Sequence, residues 1–113
     1  MRVLVCGGRD FVDREHLALA LNRMHADRRF TVVIHRGARG ADSLAGEWAA
    51  AHGIDVVVEQ ARWKEEGRAA GPLRNQRMLE LHRPDFVIAF PGGRGTADMK
   101  RRASAAGLIV HEL

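Results

Sequence analysis

Three glycine-rich turns carry the residues best suited to chemistry: GGRDF at 7–11, RGARGAD at 36–42 and PGGRGTAD at 91–98. Glycine lets the backbone turn tightly and approach a ligand closely, so that its amides can point at an anion. Each turn also holds an arginine (Arg9, Arg39 and Arg94), whose planar, permanently charged fork matches phosphate. Each leads toward a helix N-terminus, where free N–H groups and the helix dipole favour negative charge. A phosphate-containing ligand is therefore expected, held by Gly7, Gly8, Arg9, Gly37, Arg39, Gly40, Gly92, Gly93, Arg94, Gly95 and Thr96, with Asp10, His35, Asp42, Arg74 and Asn75 as further candidate contacts. Arg74 and Arg77, in GPLRNQRM, open a further helix and either reach the same crevice or lie on an exposed face.

Asp10, Asp42 and Asp98 are the carboxylates of these turns. Asp42 and Asp98 fall in first helical turns, where Asp caps the helix, accepts from a ribose hydroxyl or takes part in catalysis. Asp10 beside Arg9 reads as an internal ion pair that holds its turn. His35 ends a strand beside the second turn; it is either a phosphate or base contact or a buried, hydrogen-bonded residue. Trp63 is either a lid that stacks on a base or an apolar anchor for its loop, and Trp48 belongs to a core or an interface. Cys6 reads as a small core residue, and His25, His52 and His82 as structural groups near helix C-termini. Lys100, Arg101 and Arg102 read as a solvated helix face.

The elements that must position these groups alternate along the chain. Short apolar runs at Val3–Cys6, Thr31–His35, Ile54–Val58, Asp85–Phe90 and Leu108–Val110 predict five strands. Between them, Leu17, Ala20, Leu21 and Met24, then Ala41, Leu44, Ala45, Trp48 and Ala49, recur at helical spacing. Two further helices are predicted, from Pro72 to about His82 and from Thr96 to Ala106, with Gln60–Gly71 as one long irregular loop. Continuous rather than alternating apolar strands imply a sheet covered on both faces. The expectation is an α/β, Rossmann-like, doubly wound parallel sheet of order 3-2-1-4-5, switching between the first and fourth strands. All three turns then share the carboxyl edge of that sheet.

Length and composition narrow the possibilities further. The 113 residues predict one domain over 1–113. A single cysteine excludes a disulfide scaffold and a thiolate zinc site, and no metal ligation is implied. No GxxxxGK[ST] occurs, and the first turn is not GxGxxG, so neither a P-loop ATPase nor an ordinary dinucleotide fold fits. The longest apolar runs are too short to span a membrane and the first residues do not read as a leader, so a cytoplasmic location is expected. The net charge is +4. Sixteen of the eighteen basic residues are Arg, a bias that reflects either phosphate recognition or a GC-rich coding sequence.

The segments GGRDF, HRGARGAD, AGPLRNQRM and AFPGGRGTADM, in that order along nearly the whole chain, closely resemble the YspA-related branch of the SLOG superfamily. That superfamily also contains the LOG phosphoribohydrolases and the DNA-processing protein DprA. The resemblance implies a Rossmann-like fold that binds nucleotides or nucleotide-derived ligands. LOG enzymes carry PGGxGTxxE, whose Glu helps to cleave a base from a nucleoside monophosphate. Here Met99 stands in that position, with Asp98 one residue earlier. Their RKxxM segment is matched by Arg74 and Met78, with Asn75 in place of Lys. The branch usually reads HGGARGAD, so Arg36 replaces a glycine and either tightens phosphate binding or obstructs the pocket.

Three functions follow from the resemblance. A small nucleotide-binding sensor or regulatory domain leads, with no resident cofactor. An N-glycosidic phosphoribohydrolase comes second, with Asp98, Asp42 and Arg74 as candidate catalytic groups. Single-stranded nucleic-acid binding of the DprA kind comes third, weakened by the scarcity of aromatics for base stacking (two Trp, four Phe, no Tyr). Pairing of two copies through helices is also implied.

Overall fold

A computed structural model describes residues 1–113. The elements are β1 (Arg2–Cys6), α1 (Arg14–Arg28), β2 (Val32–His35), α2 (Ala41–Ala51), β3 (Asp55–Val58), α3 (Trp63–Glu66), α4 (Ala70–His82), β4 (Phe86–Ala89), α5 (Arg94–Ala105) and β5 (Val110–Glu112). All four strand pairings are parallel and the order is β3-β2-β1-β4-β5. The predicted α/β architecture, strand order and switch point are those of the structure.

Two cores explain why the sheet is covered on both sides. Successive residues of β1 point to opposite faces. Val3 and Val5 join Leu17, Leu21, Val33, Ala45, Trp48 and Ile88 in a core under α1 and α2. Leu4 and Cys6 join Ile34, Met78, Val87, Met99 and Ala103 under α4 and α5. The helices carry their own punctuation. Asp13 caps α1 by accepting from the His16 amide at 3.0 Å. Trp48 is core rather than interface, and its indole N–H donates to Asn22 Oδ1 at 2.9 Å.

The structure departs from expectation in four respects. The edge strand β3 is not covered on both faces, since Val56 and Val58 are exposed. The segment 60–71 is not irregular throughout, because α3, a 3-10 turn (Gly67–Ala69) and the start of α4 occupy it. The helix begins at Ala70 rather than Pro72, which the third helical position tolerates because the first amides have no intrahelical partner anyway. Finally, β5 starts two residues later than predicted. The Leu108 amide is drawn back to the Ala103 carbonyl and Gly107 to Ser104, so these residues finish α5 before the strand can begin.

Candidate functional site

The carboxyl ends of β1 and β4 lead into two turns that are tied together, the Gly8 amide donating to the Pro91 carbonyl at 2.8 Å. Above this switch point lies a cavity of about 1150 Å³. Its walls are the 7–13 turn, the 36–38 turn, Gln60, Ala61, Trp63 and Arg68 after β3, the first turn of α4, and Pro91–Thr96 with Asp98. An open doubly wound sheet puts its ligand crevice at this place.

The turn after β4 is the most direct anion cradle. Gly93 caps α5 without a side-chain bond, so the first amides of that helix face outward unpartnered by a cap. Gly92 has to be glycine, because a Cβ there would collide with Thr96 Oγ1 and crowd Gly7 and Gly8. Gly93, by contrast, has open space at its Cβ position. Gly40 lies off the cavity and is required by the packing of the turn. Its φ of +82° and the adjacent Gly8 and Arg9 carbonyls leave no room for a side chain.

Most of the predicted contacts border the cavity: Gly7, Gly8, Arg9, Asp10, Gly37, Arg74, Asn75, Gly92, Gly93, Arg94, Gly95, Thr96 and Asp98. His35, Arg39, Gly40 and Asp42 do not. His35 is buried; its Nδ1 accepts from the Gly37 amide at 3.0 Å. Burial pushes its pKa down by more than the Asp42 carboxylate pushes it up, and the Arg36 charge adds a smaller push downward. Arg39 and Gly40 line a small neighbouring depression instead. Asp10 faces Arg39 at 3.9 Å across solvent, rather than pairing with Arg9. Arg77 is held by Glu66 at 3.2 Å and Glu59 at 3.6 Å, away from the cavity. Cys6 lies in the core, and burial raises its thiol to about 12, so it stays protonated.

Asp42 makes no helix-capping hydrogen bond and does not border the cavity. It is fully buried and grips Arg36. Its Oδ2 accepts from the Arg36 amide at 2.7 Å and from Nε at 3.0 Å, and its Oδ1 accepts from Nη2 at 2.8 Å. The same Nη2 donates to the Gly7 carbonyl at 2.6 Å. Arg36 thus forms part of the cavity floor, welding the second turn to the first. Beside it, Arg74 is 8% exposed and has no carboxylate partner. Its Nε donates to Asn75 Oδ1 at 2.9 Å and its Nη1 to the Arg36 carbonyl at 3.4 Å. Burial, then the charge of Arg36, lowers its pKa to about 10, which leaves it charged at neutral pH.

Asp98 borders the cavity, but its carboxylate is occupied. Oδ2 accepts from Asn75 at 3.0 Å and Arg102 at 2.8 Å, and Oδ1 from Arg101 at 3.4 Å. Burial pushes this acid up, yet those hydrogen bonds and the two arginine charges bring it below the usual carboxylate range. Met99 is completely buried in the core beneath α5. Arg68 and Gln60 were not among the predicted contacts; the unusual length of their loop was the signal.

The comparisons with known proteins bear on this geometry. Residues 1–65, more than half of the chain and running from β1 to the start of α3, match the model of the YspA, cpYpsA-related SLOG family. The chain belongs to that family. A relative, the Gene 61 protein of Mycobacterium phage D29, is 40% identical over 117 aligned positions covering 96% of this chain and 93% of its own. Its name carries no activity. Membership of the SLOG family points to a nucleotide-related role, and the cavity sits at the switch point between β1 and β4.

Proposed function

We propose that this protein is a binding domain for a nucleotide or a nucleotide-derived phosphate ligand, serving as a sensor or regulator rather than a hydrolase. One observation carries the reading: the uncapped N-terminus of α5 opens into a cavity lined by Arg9, Arg68, Arg74 and Arg94. None of these has a carboxylate within salt-bridge distance. Helix amides and unpaired guanidiniums together form an anion site of high charge density. Trp63, 55% exposed on the cavity wall, offers a face for a base.

Cleaving an N-glycosidic bond requires a carboxylate to stabilise the oxocarbenium-like sugar and to activate water. Asp98 is a poor candidate, since its oxygens already accept from Asn75, Arg101 and Arg102 and its pKa is lowered. The test is incubation of the protein with a panel of nucleoside 5′-monophosphates, followed by thermal melting and chromatography of products. Stabilisation by a member of the panel without release of free base is expected, and Arg94→Ala should weaken that stabilisation about tenfold in affinity while the fold survives. Release of base and ribose 5-phosphate, lost in Asp98→Asn, would establish the hydrolase instead.

A further inference from the structure

Arg36 and Arg74 have donors that the fold does not use. Arg36 is 5% exposed and donates through Nε and Nη2, while its Nη1 has no hydrogen-bond partner. That nitrogen lies 3.2 Å from the Cβ position of Gly95, against the first turn of α5. Arg74 donates through Nε and Nη1, while its Nη2 has no partner. It lies 3.9 Å from the Cβ position of Gly71, against the first turn of α4. Both arginines and both glycines border the cavity. The enclosed side-chain nitrogen that lacks a partner is Arg77 Nε, so neither of these two is sealed in the interior; both open on the cavity, where their N–H groups are free to donate to the acceptors of a ligand.

The two nitrogens open against different walls, one beside α5 and one beside α4. A phosphoryl group seated on the α5 amides comes within the reach of Arg36, which leaves the Arg74 donor for a second acceptor group. Charge points the same way. Asp42 neutralises Arg36, but Arg74 and the exposed Arg9, Arg68 and Arg94 have no carboxylate partner. Four such cations exceed the two negative charges of one phosphate monoester. The cavity, at about 1150 Å³, is also larger than the roughly 300–1,000 Å³ typical of small-ligand sites.

We propose that Arg74 builds a second phosphoryl subsite on the cavity floor, beside a first that Arg36 shares with the α5 amides. The site then takes a ligand with at least two linked phosphoryl groups, such as a nucleoside diphosphate, in preference to a monophosphate. This rests on the reading of the cavity as a phosphate site and adds the number of phosphoryl groups to it. Arg36 supplies neutral-pair donors and holds the floor in shape, while Arg74 supplies the uncompensated charge.

The test is isothermal titration of orthophosphate, pyrophosphate and tripolyphosphate into the protein and its Arg74→Gln variant, with nucleoside mono- and diphosphates as a parallel pair. Pyrophosphate should bind about tenfold tighter than orthophosphate, and the diphosphate nucleotide tighter than its monophosphate by a similar factor. Arg74→Gln should abolish that preference, lowering pyrophosphate affinity about tenfold and orthophosphate affinity by a clearly smaller factor. If this variant does not fold, Arg74→Lys, which keeps the charge but loses the fork, should reduce the preference without removing it. Equal affinity for one and two phosphoryl groups would overturn the subsite while leaving the phosphate site intact. A preference undiminished in either variant would also overturn it. Failure of every inorganic anion and every nucleotide to bind would overturn the phosphate reading itself.

Discussion

His35 shows how a polar residue beside a ligand cavity can belong to the fold. Its Nδ1 accepts from Gly37, and its Nε2 leaves no space for a Cβ on Gly46, so the ring is wedged between the second turn and α2. Burial lowers its pKa, so the folded protein binds a proton there less readily than the unfolded chain. The stabilisation is full above the unfolded value of about 6.5 and is lost as the pH falls below it. Urea unfolding should therefore give a lower stability at pH 5 than at pH 7.5. His35→Asn, whose amide can still accept from Gly37, should narrow that difference. Narrowing will be partial, because His111 is shifted in the same direction by burial and Arg28. Asp42 was visible in the sequence as a polar residue at a helix start, but its partner was not. The hydrogen bonds that bind it to Arg36 depend on how the 37–41 turn closes.

At the scale of elements, glycine placement separates positions that shape the backbone from positions that face the ligand. Gly40 joins β2 to α2 at φ +82°, and the place a Cβ would take is filled by the Gly8 and Arg9 carbonyls. Gly40→Ala should cost about 3 kcal/mol, from combined backbone strain and collision. Gly93→Ala, with open space at its Cβ position and a negative φ of −96°, loses only the N-cap preference for glycine and should cost about 1 kcal/mol or less. Chemical denaturation of the pair measures the contrast. Both glycines were legible as turn residues; only their surroundings distinguish them. The first turns of α5 teach the same lesson. Asp98 and Met99 are adjacent in sequence, but the helix sends one to the cavity rim and the other into the core, since neighbours on a helix diverge by about 100°.

The whole molecule converges on one cavity. Turns after β1, β2, β3 and β4 all contribute to it, so a bound ligand ties together the carboxyl edge of four strands. Binding at that edge should stabilise the entire sheet rather than one loop. A ligand present at a hundred times its dissociation constant adds about 2.7 kcal/mol to the folding free energy. For a chain of this size, that corresponds to a rise in melting temperature on the order of 10 °C. Differential scanning calorimetry should show it as a single shifted transition; a ligand-insensitive first transition would mean that the cavity lies in a unit that melts separately. No helix of the structure is long and apolar enough to cross a membrane.

The sequence by itself determined the alternation of strands and helices, the strand order and the meeting of three glycine turns at one sheet edge. Those features follow from local rules: hydrophobic period, the fixed hand of parallel crossovers and the few residues that tolerate tight turns. It also marked Arg36 as a departure from the family pattern. Only the tertiary structure decided which arginines matter to the cavity. Arg9, Arg68, Arg74 and Arg94 border it unpaired, Arg36 forms its floor, and Arg39 and Arg77 lie elsewhere. An arginine side chain is long and rotatable, and its direction is fixed by acceptors remote in sequence. Arg36 is held by the Gly7 carbonyl and Arg74 reaches the Arg36 carbonyl, contacts that exist only once the sheet has brought those turns together.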